Sequence, residues 1–267
     1  MSTLHCLVAT TQKHLDDALR VRWTVFGSEL GLLSTPPPAL REVHCFDTLE
    51  TTLHFIVYDN QRPVATARLL LPNSEVALTT GLSLGIDLEQ KLDLSALCLP
   101  GIRPAETTRY CVLRRWRGSE ALLLLNAVMY QESRHRGVSH WVAAANMETD
   151  SLDDARLACR VAAHEGLVSQ HWRVEPRIRP EGPTQPVAPL YSLQQRQRAH
   201  EGLLEGLRLP RTLGLFSRKL GARFIGDPLY DTQFRRYALP LVAALDDIPP
   251  STLALFEALI ASPQRVA

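Results

Sequence analysis

The stretch Ala105-Glu-Thr-Thr-Arg-Tyr-Cys-Val112, continued by Leu113-Arg-Arg-Trp-Arg-Gly-Ser119, sets a buried-type strand directly before an arginine- and glycine-rich turn and a helix start. Glu106 and Arg109 also complete a set of charges, Arg22, Asp47, Glu50 and Arg68, spread through an otherwise apolar region. Such a set suggests a polar pocket for an amino-acid-like substrate beside a catalytic carboxylate. On a regular strand, residues three apart point to opposite faces, so Glu106 and Arg109 cannot both enter one pocket. One inserted residue reverses the parity. The spacing therefore predicts a bulge between Glu106 and Val112, or else an Arg109 that serves structure from the opposite face.

Outward from this stretch, Leu4–Ala9 reads as a first strand, and Thr11–Leu30 carries Leu15, Ala18, Leu19, Val21, Val25 and Phe26 at helical spacing. A polar loop through Pro36-Pro37-Pro38 leads to Phe46-Asp47. His54–Tyr58 and Val64–Leu71 flank Asp59-Asn-Gln-Arg-Pro63 as an antiparallel hairpin. Tyr110–Leu113 is an apolar run. Glu120–His135 reads as a helix with Ser119 as N-cap, stopped by Gly137. Val138–Ala145 reads as a strand, Asp150–His164 as a helix ending at Gly166, and Leu167–Val174 as a further strand. Four prolines and a glycine between Arg179 and Leu190 defeat regular structure, and the segment reads as a linker or lid. Helices are expected over Ser192–Leu207, Thr212–Leu220 and Thr252–Ile260. The alternation of strand, loop and helix indicates α/β organisation. The domains expected are a core over residues 1–178, the linker or lid over 179–190, and a helical and strand extension over 191–267 that completes the molecule.

A chain of 267 residues with 45% hydrophobic content can bury one large domain or a domain with a sizeable extension. Lys+Arg 29 against Asp+Glu 28 leaves a formal charge of +1, so nothing global calls for nucleic acid, and none is expected as a partner. Cys6, Cys45, Cys98, Cys111 and Cys159 are scattered and odd in number, without CxxC or Cys/His spacing. No metal site is expected, and reduced thiols in the cytoplasm fit best. The N-terminus lacks a signal-peptide core, and no apolar run approaches the ~20 residues of a bilayer span. Peripheral membrane contact stays open. Arg208, Arg211, Arg218, Lys219 and Arg223 either solvate a helix or dock an acidic carrier protein or anionic headgroups.

Arg115-Trp-Arg-Gly-Ser119 before a helix can hold phosphate oxygens, since first-turn amides and the positive dipole end point at an anion and arginine adds two-pronged contacts. An arginine-glycine turn is also an ordinary solvated loop. Arg22, Arg68, Asp47 and Glu50 equally suit a structural ion-pair network ordering the loop over the first helix, and both roles can coexist. Cys111 beside Tyr110 reads as a small core residue. The histidines read as satisfied or surface groups.

The turn and helix after the central strand resemble the GNAT acyltransferase superfamily, with Glu120 where a second glycine is usual. Arg22 with Phe26, Phe46-Asp47-Thr-Leu-Glu50, Ala67-Arg68-Leu69 and Glu106-Thr-Thr-Arg109 resemble the ordered motifs of autoinducer synthases and related long-chain N-acyltransferases. Leu32 stands where autoinducer synthases carry tryptophan. The second half, including Val142-Ala-Ala-Ala-Asn-Met-Glu-Thr-Asp150 and Phe216-Ser-Arg-Lys-Leu-Gly221-Ala-Arg-Phe-Ile-Gly226, is similar to the ornithine-lipid branch of acyl-carrier-protein-dependent amino-acid N-acyltransferases, once called hemolysins.

The resemblance implies a GNAT-like α/β fold, a central mixed sheet flanked by helices, and an N-acyltransferase. It implies transfer of a long-chain acyl group, 3-hydroxylated or not, from acyl carrier protein or acyl-CoA to the α-amine of an amino acid such as ornithine. No cofactor would be bound permanently. Catalysis would fall to Glu106, Asp47, Arg68 and Arg109, acceptor binding to Arg22, Phe26 and Glu50, and donor binding to Val112, Arg115, Arg117, Gly118 and Ser119. An acyl-homoserine-lactone synthase and a non-catalytic acyl-thioester-binding module are the alternatives.

Overall fold

The computed structural model describes residues 4–33 and 38–261. In chain order the main elements are β1 (Leu4–Val8), α1 (Gln12–Trp23), β2 (Thr52–Asp59), β3 (Arg62–Leu70), α2 (Ser74–Thr80), β4 (Leu92–Asp93), β5 (Pro104–Val112), α3 (Ala121–His135), β6 (His140–Asn146), α4 (Leu152–His164), β7 (Glu175–Pro176), α5 (Leu193–His200), α6 (Arg211–Leu220), β8 (Arg223–Phe224), β9 (Leu229–Asp231), β10 (Arg236–Ala244) and α7 (Pro250–Ile260). They form two compact units. The first holds residues up to Asp87 together with Arg103–Ser139 and the chain from Pro250 onward, and the second holds Leu88–Ile102 and His140–Pro249. Pro36 and Pro37 of the proline-rich loop lie outside the described residues.

In the first unit β1, β2, β3 and β5 form an antiparallel ladder. The β2–β3 hairpin turns at Asn60, whose φ of 55° falls where asparagine is tolerated better than most residues. Opposite pairing puts His54, Arg68 and Thr108 on one face, with Leu70 and Glu106 beside them. Helix α1 covers this face. Ala18 packs on Ile56 and Tyr58, and Val21 and Val25 pack on Cys111 and Leu113. Phe55, Val57, Ala65 and Leu69 point the other way and are fully buried, with α3 against β1, β2 and β3. Each large side chain among them contributes about 1.5–3 kcal/mol by leaving water.

Helix α1 begins where the Thr11 side chain accepts from the His14 amide, and it ends sooner than the apolar spacing predicts. Thr24–Glu29 continues as a wider π turn, and a Cβ at Gly27 would collide with the Trp23 ring. Ser119 precedes the N-cap of α3 rather than occupying it. Its hydroxyl accepts from the Ala121 amide and donates to the Trp116 carbonyl, bracing the turn from one residue upstream.

In the second unit β10 pairs antiparallel with β6, β8 and β9, burying Trp141, Val142, Leu239 and Leu241. Leu167–Val174 is not a strand. Only Val168 bridges to Phe224, because the Ser169 hydroxyl accepts from the His171 and Trp172 amides and curls the chain locally. Helix α4 starts at Leu152 with Ser151 as cap, so Asp150 lies before it. Helix α5 is half the expected length. A Ser192–Gln195 capping box starts it, and Gly202, at φ 85°, follows its last turn.

The segment 179–190 has no helix or strand, yet its end is pinned. Asp150 accepts from the Val187 and Ala188 amides, and Asp154, fully buried, accepts from the Leu190 amide and from both prongs of Arg196. Replacing Asp154 with alanine strands these donors. It should destabilise the protein by about 3 kcal/mol, as for other broken buried pairs, and quicken proteolysis after Leu190 and Tyr191; urea denaturation and limited chymotrypsin digestion would read the two effects.

Candidate active site

Four carboxylates and three guanidiniums meet on the α1-covered face of the first unit, where almost none of them touches water. Arg22, on the buried side of α1, is 0% exposed and donates from Nη1 to Asp47 Oδ1 at 2.8 Å while its remaining edge pairs with Glu42. Arg68, also 0% exposed, donates to the same Asp47 oxygen at 2.9 Å and reaches Asp87 Oδ2 at 3.4 Å. Arg109 Nε lies 3.4 Å from Glu42 Oε1. Glu106, 4% exposed, stands on the same face and is close enough for its charge to act on Arg68.

The turn bearing Asp47 explains its position. Asp47 Oδ2 accepts from the His44 amide at 2.6 Å, while the His44 ring accepts from the Phe46 amide, so the two residues close a capping box around Cys45–Thr48. The Asp47 carbonyl accepts from His54 Nε2 at 3.0 Å. Burial alone would raise the Asp47 pKa, but Arg22 and Arg68 outweigh it and hold the carboxyl well below the usual range. Burial likewise opposes the charge of Arg22, and Glu42 and Asp47 reverse that effect. For Arg68, burial and then Arg109 lower the pKa against the pull of Glu106.

Arg109 enters this face because β5 bulges. Arg68 stands opposite Thr108 and Thr66 opposite Cys111, so two residues on β3 span three steps on β5. The extra residue sits at Arg109, whose φ is 57°. Of the two alternatives that the Glu106–Arg109 spacing left, the structure has the bulge. It puts Arg109 beside Glu42 instead of across the sheet.

The structure brings together Arg22, Asp47, Arg68, Glu106 and Arg109. It does not bring Glu50 among them: Glu50 is exposed in the turn before β2. Glu42 and Asp87 take acidic places in the network that sequence reasoning did not assign. The pattern His44-Cys-Phe-Asp47 is a capping signal that could have located the turn, whereas nothing local marks Glu42 or Asp87. Phe26 is half-buried against Val21, Val25, Cys111 and Leu113. Cys111 is a core thiol whose pKa burial pushes up.

The predicted donor turn lies at the other end of β5. Leu113, Arg114, Arg115 and Trp116 line a groove of about 400 Å³ with Thr24, Glu29 and Arg62. Arg62 and Arg115 stack on the Trp116 ring at 4.9 and 5.5 Å, and Asp59 holds the indole N–H at 3.1 Å. Arg117 is tied up, pairing with Glu29 and donating to the Val112 carbonyl. Gly118 and Ser119 are exposed on the turn, and Val112 is half-buried. Three arginines line the groove, and among the described residues no carboxylate pairs with Arg62 or Arg115. Among the described residues no cluster of His, Cys, Asp and Glu suits a metal ion.

A buried carboxylate beside guanidiniums thus lies at one end of the bulged strand, and an arginine-lined groove at the other. A CoA-dependent acyl-homoserine lactone synthase, BjaI, solved with MTA, superposes with TM-score 0.53 at 14% identity over 99% of this chain and 93% of its own. FeeM, an N-acyl amino acid synthase from uncultured soil microbes, superposes with TM-score 0.51 at 9% identity over 92% of this chain and 93% of its own. At such identities the likeness establishes the GNAT-like α/β fold expected from the sequence. No curated protein matches the chain. The model of the FeeM N-acyl amino acid synthase family matches residues 17–152, half of the sequence and all of the charge network. The chain belongs to that family: it is an acyltransferase that carries an acyl group to an amine.

The depressed Asp47 pKa sets a pH dependence. Its stabilisation is complete above the unfolded carboxyl value of about 4 and is lost as pH falls further, toward the folded value. Asp47→Asn leaves two buried guanidiniums short of a partner and should cost about 3–5 kcal/mol at neutral pH. Urea midpoints of the two proteins should converge as pH drops from about 5 to 2; parallel curves would show that Asp47 carries no such linkage.

Proposed function

We propose that the protein transfers a long-chain fatty acyl group, with or without a 3-hydroxyl, from acyl carrier protein or acyl-CoA to the α-amine of an amino acid, with an ornithine-type acceptor first in order. The observation that carries this reading is the bulge that turns Arg109 onto the face of Arg68 and Glu106. A zwitterionic acceptor asks for cationic partners for its carboxylate and a base for its ammonium, and these residues offer both within one side of one sheet. The family match supports the amine chemistry, and the anion groove supports a phosphate-bearing donor.

In this reading Glu106 takes a proton from the acceptor ammonium, directly or through water, freeing the nitrogen lone pair. The amine attacks the thioester carbonyl, a backbone amide of the bulge steadies the oxyanion, and the carbon–sulfur bond breaks. The thiolate leaves with one proton, and a second reaches solvent, so one amide, one thiol and one proton result. Arg68 Nε is buried without a hydrogen-bond partner among the described residues, which suits a place for the acceptor carboxylate. Arg22 and Asp47 hold the arrangement rather than touching substrate.

Arg62, Arg114 and Arg115 hold the donor's phosphates while Arg117 keeps the turn in shape. The exposed basic residues Arg211, Arg218 and Lys219 of α6 suit an acidic carrier protein. The five cysteines are free thiols, which suits the cytoplasm, and an N-acylated product would partition to the inner membrane face. Among the described residues no helix is long and apolar enough to cross a membrane.

Incubating the purified protein with long-chain acyl-carrier protein or acyl-CoA and individual amino acids, then analysing by mass spectrometry, should reveal a stable acylamino acid. In a parallel incubation with S-adenosylmethionine as acceptor, whose sulfonium is the leaving group that ring closure needs, an acyl lactone would move the assignment to signal synthesis, and no acyl product from any acceptor would end it. Glu106→Gln should lower turnover about 10²-fold with donor affinity nearly intact. The Arg62→Ala/Arg115→Ala pair should raise the donor KM about a hundredfold, each lost charge-assisted contact being worth roughly tenfold, and leave the acceptor KM unchanged.

A further inference from the structure

A histidine that the proposed chemistry does not use stands at the edge of the charge network. We propose that His44 is a positioning residue for the acceptor: its neutral ring holds the Asp47 turn and Arg68 in their working arrangement, and its protonation releases them. The inference deepens the proposed acyl transfer and rests on that reading for its kinetic consequence.

The partners of the ring assign its tautomer. Nδ1 faces three donors, the Phe46 amide at 3.5 Å, Arg68 Nη1 at 3.4 Å and the Cys45 thiol at 3.9 Å, so it carries the lone pair. Nε2 therefore carries the proton, directed at Asp87 Oδ2, 3.9 Å away. The ring stacks on Phe46 at 5.7 Å with 15° between planes, and its side chain keeps 20% exposure, so solvent protons reach it. Every charged group around it belongs to the network. Arg68 faces it from β3, Asp87 from the chain after α2, Arg109 from β5 and Asp47 from its own turn.

Adding a proton at Nδ1 changes each of these contacts together. The Phe46 amide loses its acceptor, the ring becomes a cation against the Arg68 guanidinium, and its attraction to Asp87 grows. Asp87 is also the second carboxylate on Arg68. A charged His44 competes for it directly. Since Asp47 Oδ2 is held by the His44 amide at 2.6 Å, a shift of residue 44 passes to the carboxylate that joins Arg22 and Arg68. Burial disfavours the charged ring, Asp87 favours it, and Arg109 and Arg68 disfavour it; the sum lowers its pKa, so the ring is neutral at physiological pH.

His44→Asn tests this, because asparagine can still accept the Phe46 amide in the capping position but cannot titrate. With saturating acyl thioester, the unmodified enzyme should lose acceptor kcat/KM about tenfold per pH unit below its His44 pKa, through acceptor KM rather than donor KM. The ratio of acceptor kcat/KM between pH 7.5 and about 5 should shrink in His44→Asn to what the ionisation of the acceptor and of Glu106, shared by both proteins, leaves. An acid limb of unchanged midpoint in the variant overturns the proposal.

A second arm needs no activity. NMR titration of labelled histidine in the unmodified protein should give His44 a midpoint below the free value of about 6.5, with the Phe46 amide shifting at the same midpoint. The stability that His44 contributes is then full above about pH 6.5 and lost as pH falls toward the folded value. A midpoint at or above the free value, or a Phe46 amide that does not respond, overturns the inference. Absence of any acyl product would instead defeat the functional reading, while the titration would still decide whether His44 is linked to the turn.

Discussion

One carboxylate oxygen, Asp47 Oδ1, accepts from two buried arginines at once, and the arrangement of the first unit depends on that shared contact. Arg22 comes from a helix and Arg68 from a strand, and both are removed from water. Taking a guanidinium out of water costs several kcal/mol, and the pairing recovers this only when geometry and remaining hydrogen bonds are good. Asp47 meets that condition because its other oxygen and its carbonyl are also engaged, by the His44 amide and the His54 ring. Well-packed apolar residues could serve stability as well. What the ion network adds is direction: it aims Arg68 along the sheet and fixes the loop from Glu42 to Asp47 over α1.

The bulge at Arg109 is the second constraint, and it is a matter of parity rather than energy. A left-handed φ on an arginine costs roughly 1–3 kcal/mol, which the ion pair with Glu42 and the surrounding burial offset. In return the strand shows Glu106, Thr108 and Arg109 to one side. A carboxylate and a guanidinium thus stand near each other without a loop to carry them, and strands hold side chains more firmly than loops do.

The two ends of β5 differ in character. Near Glu106 the side chains are buried, matched in charge and suited to a small zwitterion. Past Val112 they are exposed, cationic and stacked on Trp116, suited to a mobile phosphate-bearing arm. Arg117 illustrates how close sequence neighbours separate in role, since Glu29 and the Val112 carbonyl occupy it while Arg115 stays open to the groove. In the second unit buried carboxylates do different work: Asp150 and Asp154 bind backbone amides and so turn a proline-rich stretch, which has few amides to offer, into a fixed strap.

Apolar periodicity determined the α1 face, the β2–β3 hairpin and α3, because local spacing alone decides which side of an element is buried. The Glu106-Thr-Thr-Arg109 spacing narrowed the strand to a bulge or an Arg109 on the opposite face, since parity is a property of the chain, and the structure chose the bulge. Helix ends and the Leu167–Val174 segment were settled instead by side chains competing for backbone groups, Ser169 and the Ser192–Gln195 box among them, and by Gly202, which periodicity does not register. Which acids partner which arginines was decided only in three dimensions. Glu42 and Asp87 reach the network from loops whose sequence carries no signal, and Glu50, three residues from Asp47, faces water because a turn intervenes. Charges pair by distance through space, and that distance exists only after the strands and α1 have closed around them.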